Sequence, residues 1–181
     1  MNMGDSSVYP HLGRFEGVQR QSLEHLYELF SKLTPGGVWG LAWGMPTIRV
    51  DGDVLISFNG FSRHNTIFPG DKVVSALSSS LDGFQLSKGA IKLPLDHFLK
   101  SSLARKLIIE SINVLNRSFP RADGSHKEFY ENGYLKSKGR YSKGEMHGHW
   151  QFFRQDGSLM REGSFTHGVK LDNWVTHIRP Q

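Results

Sequence analysis

Apolar positions in the first two thirds of the chain change their period along the sequence. Leu23, Leu26, Phe30 and Leu33 recur at steps of three and four, which predicts an amphipathic helix that stops at Thr34-Pro35-Gly36-Gly37. A similar stripe predicts a helix over 71–81 and a long last helix from Ser101 or Ser102 to Phe119, ended by Pro120.

Between these helices the pattern changes to β-rich runs. VWGLAWGMPTIRV and DVLISFNGF predict two antiparallel strands joined at Asp51-Gly52, a dipeptide suited to a tight hairpin. NTIF predicts a third strand, and QLSKGAIKL predicts two more that turn at Ser87-Lys88-Gly89. The order is helix, three strands, helix, two strands, helix. It indicates an α+β domain over 19–120, in which helices cover a mostly antiparallel sheet. Residues 1–18 are interpreted as an N-terminal tail.

Residues 125–181 have no helical period and contain two copies of one pattern. A shift of 24 residues places YENGYLKSKGRYSKGEMHGHW on RQDGSLMREGSFTHGVKLDNW. The shift superposes Tyr141 on Phe165 and Trp150 on Trp174, and two-residue turns begin at Asn132 and Asp156 in the respective copies. We therefore predict a small all-β module of hairpin repeats, with these four aromatic side chains as its core.

Composition limits the functional classes. The sequence has no cysteine, which excludes disulfides, thiolate metal sites and a cysteine nucleophile, and which fits a cytoplasmic protein. We find no apolar run long enough to span a bilayer. The sequence has 22 Lys and Arg residues and 17 Asp and Glu residues. Because positive and negative residues alternate along the chain, nucleic-acid binding is not expected. No phosphate-binding loop, serine-nucleophile elbow or zinc-protease motif is present, so we do not expect an enzyme.

Two groups of residues are candidates for metal binding. Glu24, His25 and Glu28 lie within one turn of the first predicted helix, although charged pairs at this spacing are also common on solvated surfaces. His147-Gly148-His149 would place two imidazoles on one side of a strand, as half of a metal site or as ordinary surface histidines.

Three ordered motifs, AWGMPTIRV, FNGFSRHNTIFPG and LSKGAIKLPLD, resemble the YdhG-like (DUF1801) family over roughly 19–119. The resemblance implies a frataxin-like shape and iron delivery, since a bacterial member is described as an intracellular iron chaperone. Iron prefers clustered carboxylates. Family members commonly have acidic residues before the Gly-Met-Pro motif, where this chain has Val38-Trp39-Gly40.

The matched motifs supply four candidate ligand-binding residues, Trp43, Met45, His64 and Lys88. If the Lys88 turn approaches Trp43 and His64, they form a small concave site for an anionic ligand. Alternatively, His64 hydrogen-bonds the backbone and the Lys88 turn reflects turn geometry alone.

The two repeats resemble membrane occupation and recognition nexus (MORN) repeats, in the bacterial antitoxin-like variant. The second copy departs from the first where Leu171-Asp172 replaces His147-Gly148. The resemblance implies a scaffold that contacts a protein or lipid. We therefore expect a non-catalytic binding protein, either a ligand- or iron-handling chaperone whose tail docks a protein partner, or an interaction scaffold with a structural first domain.

Overall fold

A computed structural model describes residues 7–119 and 121–179. We call residues 7–119 the first domain. Its helices are α1 (Val8–Leu12), α2 (Gly17–Leu33), α3 (Asp71–Ala76) and α4 (Ser101–Ser118). The strands of this domain are β1 (Val38–Ala42), β2 (Met45–Val50), β3 (Asp53–Gly60), β4 (Asn65–Phe68), β5 (Gln85–Ser87) and β6 (Ala90–Leu93). The helix end predicted at Pro120 lies outside the described residues, as do residues 1–6 of the predicted tail.

The six strands form one sheet in the order β1-β2-β3-β4-β6-β5, in which every neighbouring pair is antiparallel. Helices α2 and α4 contact each other, and both contact β3. Apolar side chains of the helices and strands form one continuous core that includes Phe30, Phe58 and Leu107. The α+β class predicted from the sequence is confirmed.

The two long helices follow the predicted stripes. In α2, the buried positions include Leu23, Leu26 and Phe30, and the helix ends at Leu33, just before the predicted stop. In α4, the side chains of Leu107 and Ile112 are buried at the centre of the stripe. Both helices owe their position to burial of one apolar face.

Three local predictions need correction. The run VWGLAWGMPTIRV is two strands rather than one, because the chain turns at Trp43-Gly44, where both residues have positive φ (51° and 71°). Four strands therefore precede α3, where three were predicted. The helix predicted over 71–81 ends at Ala76 and is followed by a 3₁₀ turn at Ser78–Ser80. The segment predicted as a tail contains α1, whose Val8 and Leu12 side chains are fully buried in the core.

The rest of the chain forms a second antiparallel sheet. Its strands are β7 (Gly124–Phe129), β8 (Leu135–Ser142), β9 (Glu145–Phe153), β10 (Leu159–Thr166), β11 (Val169–Lys170) and β12 (Val175–Thr176). The order is β11-β10-β9-β8-β7, and β12 also pairs with β10. Among the described residues, no helix has the length and apolarity that a membrane span requires.

Candidate functional site

The second sheet is fixed to the first domain by backbone and side-chain hydrogen bonds. The Asn116 amide, near the end of α4, donates to the carbonyl of Phe129 at 3.1 Å and accepts from its backbone N–H at 2.8 Å. The backbone N–H of Gly36 donates to the carbonyl of Asn132 at 3.1 Å. A Cβ at Gly36 would collide with the Gly133 and Tyr134 backbones, so this close approach requires glycine.

Apolar and charged contacts reinforce the attachment. The side chain of Phe129 is 3% exposed and belongs to the core of the first domain. Lys127 Nζ forms ion pairs with Asp51 at 2.9 Å and Asp53 at 2.8 Å, on the loop and strand that follow β2. Burial opposes the charged ammonium, but the hydrogen bonds to Asp53 and Asp51 outweigh it and raise the pKa of Lys127. The two parts of the chain therefore share a core and an ion-pair network.

A cleft of about 550 Å³ opens where the two parts meet. Its apolar lining comes from Leu33, Ile108, Ile109 and Phe129, and its polar lining from Arg105, Tyr130, Glu131, Asn132, Lys136 and Gln155. We call this space the junction cleft.

The charges around the junction cleft are only partly compensated. Lys136 Nζ pairs with Glu128 at 2.8 Å and lies 6.0 Å from the centre of the Tyr130 ring. Arg105 and Glu131 are exposed, and neither forms an ion pair within the described parts of the chain. The cleft thus combines an apolar surface with one guanidinium and one carboxylate that are available to a ligand.

The four predicted ligand-binding residues do not form one site. Trp43, at the β1–β2 turn, is 77% exposed, and Met45 begins β2. His64, in the β3–β4 connection, stacks on the ring of Phe61 with 5.2 Å between centroids. These two turns lie at the same end of the sheet.

Lys88 lies at the opposite end of the sheet, so its turn does not approach Trp43 or His64. In the β4–β6 pair, Asn65 is opposite Leu93 and Ile67 is opposite Ile91. The β5–β6 turn, which precedes Ala90, is therefore beside the end of β4, whereas His64 precedes its start. The order β4-β6-β5 separates the turn from Trp43 as well.

The candidate metal ligands on α2 have other partners. Glu24 accepts a hydrogen bond from Arg20 at 2.8 Å, His25 Nε2 lies 2.9 Å from the carbonyl oxygen of Leu99, and Glu28 is exposed. Across residues 7–119 and 121–179, no three His, Asp or Glu side chains are grouped so that they could hold a metal ion. The described residues therefore contain no group of side chains that could bind the iron implied by the family resemblance.

The side chains of His147 and His149 have different neighbours. The ring of His147 lies 5.1 Å from the ring of His167, whereas His149 Nε2 is 3.2 Å from a carboxylate oxygen of Glu162. Gly148, between them, has a φ of 70°, which breaks the regular alternation of the strand.

Trp150 is at the centre of the second sheet. Its side chain is 1% exposed, and its Nε1–H donates to the carbonyl of Arg140 at 3.2 Å. The indole lies on Gly139, where a Cβ would overlap it. The Tyr141 and Phe165 rings meet it edge-on, at centroid distances of 5.2 and 6.4 Å. These contacts indicate a packing role.

The same contacts recur 24 residues later around Trp174. The indole Nε1–H of Trp174 donates to the carbonyl of Ser164 at 3.2 Å, its ring covers Gly163, and Phe165 meets it edge-on at 5.1 Å. Trp174 is only partly buried. The first tryptophan is thus enclosed more completely than the second.

The junction residues were not found by sequence reasoning. Arg105 and Asn116 lie on α4 outside its apolar stripe, and nothing in the local pattern distinguishes them from other polar helix residues. The 24-residue shift also places Phe129 on Phe153, which indicates a repeat position for it and gives no sign of a contact with α4. Burial of Phe129 against α4 has no local signal, because it depends on a contact between the two parts.

A solved structure of another protein has a fold similar to part of this chain. A crystal structure of YdhG, a DUF1801-family protein from Bacillus subtilis, matches with a TM-score of 0.56 and 17% sequence identity. The match covers 63% of this chain and 94% of that protein. At this identity the similarity shows a shared fold. No family model matches the chain, and no curated protein matches it.

Proposed function

We propose that this chain is a non-catalytic, cytoplasmic binding protein that takes a small amphipathic anion in the junction cleft. The observation that supports the proposal is the combination of an apolar surface with Arg105, a cation that no described carboxylate neutralises. The cytoplasmic location is supported by a sequence without cysteine.

The chemistry of the cleft suits this ligand class. Small-molecule sites commonly occur where domains meet, and the volume of about 550 Å³ is typical of them. An alkyl or aryl group would contact Ile109 and Phe129, while a carboxylate would accept paired hydrogen bonds from the Arg105 guanidinium. Lys136 also lines the cleft, but Glu128 compensates its charge, so Arg105 supplies the unpaired cation.

The finer family assignment is also a proposal. We infer a YdhG-like first domain with a frataxin-like shape, which the similarity to the Bacillus subtilis structure supports. We infer MORN-type hairpin repeats in the second sheet, which the equivalent settings of Trp150 and Trp174 support. An organic anion is a better candidate than iron, because Glu24 and His25 already have other partners.

A second candidate function is that of a protein-interaction scaffold. It is favoured by apolar side chains that are exposed around the last strands of the second sheet, namely Val169, Leu171, Val175 and Ile178. A protein partner could bury this surface. In this case, the first domain would act mainly as a rigid support.

The cleft proposal can be tested by NMR with the full chain and a panel of phenylacetate, indole-3-acetate and octanoate. We expect amide shifts in α4 and the β7–β8 turn, and loss of these shifts in Arg105→Gln. Lys106→Gln is the matched control, since its ammonium instead hydrogen-bonds Ser80 at 3.0 Å. Equal binding by both variants, or shifts confined to other regions, would refute the cleft as the site.

A further inference from the structure

A second depression crosses β7, β8 and β9 on the second sheet. It has a volume of about 360 Å³, and its lining includes Ser125, Lys138, Arg140, His149 and Gln151. We call it the sheet groove. It is separate from the junction cleft, with which it shares no lining residue.

The sheet groove carries uncompensated positive charge. Lys138 and Arg140 are two residues apart on β8, in a stretch of regular pairing with β7, so both point to the same side of the strand. Neither forms an ion pair with any residue in the described ranges. Their neighbour Lys127 is different, because Asp51 and Asp53 neutralise it.

A bulge in β9 changes the pairing beside these cations. Lys138 pairs with Gln151, but Arg140 pairs with His147, where an unbroken register would place His149. Gly148, whose φ is 70°, permits the bulge. The displaced His149 lines the groove and is hydrogen-bonded to Glu162, which places one carboxylate at the side of the site.

The two copies of the repeat differ at these positions. Counted 24 residues on, Lys138 corresponds to Glu162, Arg140 to Ser164 and His149 to Asn173, whereas Trp150 corresponds to Trp174. The second copy makes the same indole contacts without the two cations. The hairpin architecture therefore does not require Lys138 and Arg140, which leaves both side chains free for a binding role.

We propose that the sheet groove docks an extended acidic segment of a protein partner. Residues i and i+2 of a strand are about 7 Å apart, so Lys138 and Arg140 match the spacing of alternate acidic side chains in an extended peptide. Charge complementarity to two unpaired cations selects such a segment over a neutral one. The inference rests on the partner-docking function of the second sheet and is independent of the junction cleft.

The test is fluorescence anisotropy of a labelled peptide of alternating glutamate and alanine, titrated with the full chain at low salt. We expect the double variant Lys138→Gln/Arg140→Gln to weaken binding about five- to tenfold, as expected for two exposed charge pairs. The control Arg63→Gln/Lys72→Gln removes the same charge from exposed positions of the first domain and should leave the affinity unchanged.

Several outcomes would overturn the proposal. Equal weakening by both double variants would show a net-charge effect, and absence of binding at low salt would remove the site. Tighter binding of inorganic phosphate or a short oligonucleotide, lost in the same groove variant, would assign the groove to another ligand class. Arg105→Gln should not change the affinity for the peptide. Failure of the sheet-groove proposal is therefore distinguishable from failure of the junction-cleft proposal.

Discussion

Replacing Trp150 by alanine should destabilise the second sheet far more than the same change at Trp174. The two indoles make equivalent contacts, with a glycine beneath and a backbone carbonyl as acceptor. They differ in enclosure, since Trp150 is 1% exposed and Trp174 is only partly buried. The comparison therefore isolates the effect of burial from the effect of the local contacts.

The magnitude follows from cavity formation. Truncation of a fully buried Phe or Trp to alanine costs about 3–5 kcal/mol, because the surrounding side chains collapse only partly. Trp150→Ala should fall in this range and also leave the Arg140 carbonyl without its indole donor. Trp174→Ala should cost roughly half as much, since part of its ring already contacts solvent.

The assay is urea unfolding followed by far-UV circular dichroism, combined with limited proteolysis and mass spectrometry. Trp150→Ala should be cleaved back to near residue 120 while the first domain stays folded, and Trp174→Ala should stay largely intact. A Trp150→Ala chain that is protease-resistant, or no less stable than Trp174→Ala, would contradict the packing role. Altered binding without destabilisation would instead make Trp150 a recognition residue.

Three further predictions concern Phe129 at the junction, the carboxylate of Asp156 and the binding of iron. Phe129→Ala should lower the free energy of unfolding by about 3–5 kcal/mol and separate one thermal transition into two; calorimetry showing a single unchanged transition would contradict the shared core. Hydrogen bonds from Ser158, with the Arg179 ion pair, lower the pKa of Asp156. Its stabilising effect should therefore be lost as pH falls below about 4, and Asp156→Asn should flatten the dependence of melting temperature on pH in that range. Ferrous iron should bind more weakly than micromolar, that is, less favourably than about −8 kcal/mol, and anaerobic calorimetry showing a tight stoichiometric site would overturn this expectation.

Local sequence patterns predicted the elements that are determined by residues close together in the sequence. The stripe through Leu26 and Phe30 defined α2, and Asp51-Gly52 marked the hairpin between β2 and β3. The turn at Trp43 was missed because a bulky residue with positive φ has no favourable local signature. It forms there because Val38–Ala42 and Met45–Val50 pair with each other.

Relations between distant segments could not be read from the sequence. The sequence left open whether the Lys88 turn approaches His64, and the pairing of β6 with β4 places this turn at the other end of the sheet. The junction cleft depends on Phe129 packing against α4, and no periodicity reports this contact. Trp150, which the 24-residue shift aligns with Trp174, is buried, and its indole lies on Gly139 in the neighbouring strand.

The same contact between an indole and a glycine occurs at Trp150 and at Trp174. A duplication within the gene could therefore lengthen the second sheet by one whole repeat. The edge-on ring contacts of Trp150 and Trp174 are made with aromatic side chains of neighbouring strands, as in other repeat arrays. An in-frame copy of 24 residues, inserted between Phe153 and Arg154, would add two strands and extend the sheet by roughly 10 Å. The Asn116 and Lys127 contacts would be untouched. The length of the second sheet could therefore change in discrete steps while the junction cleft stayed constant.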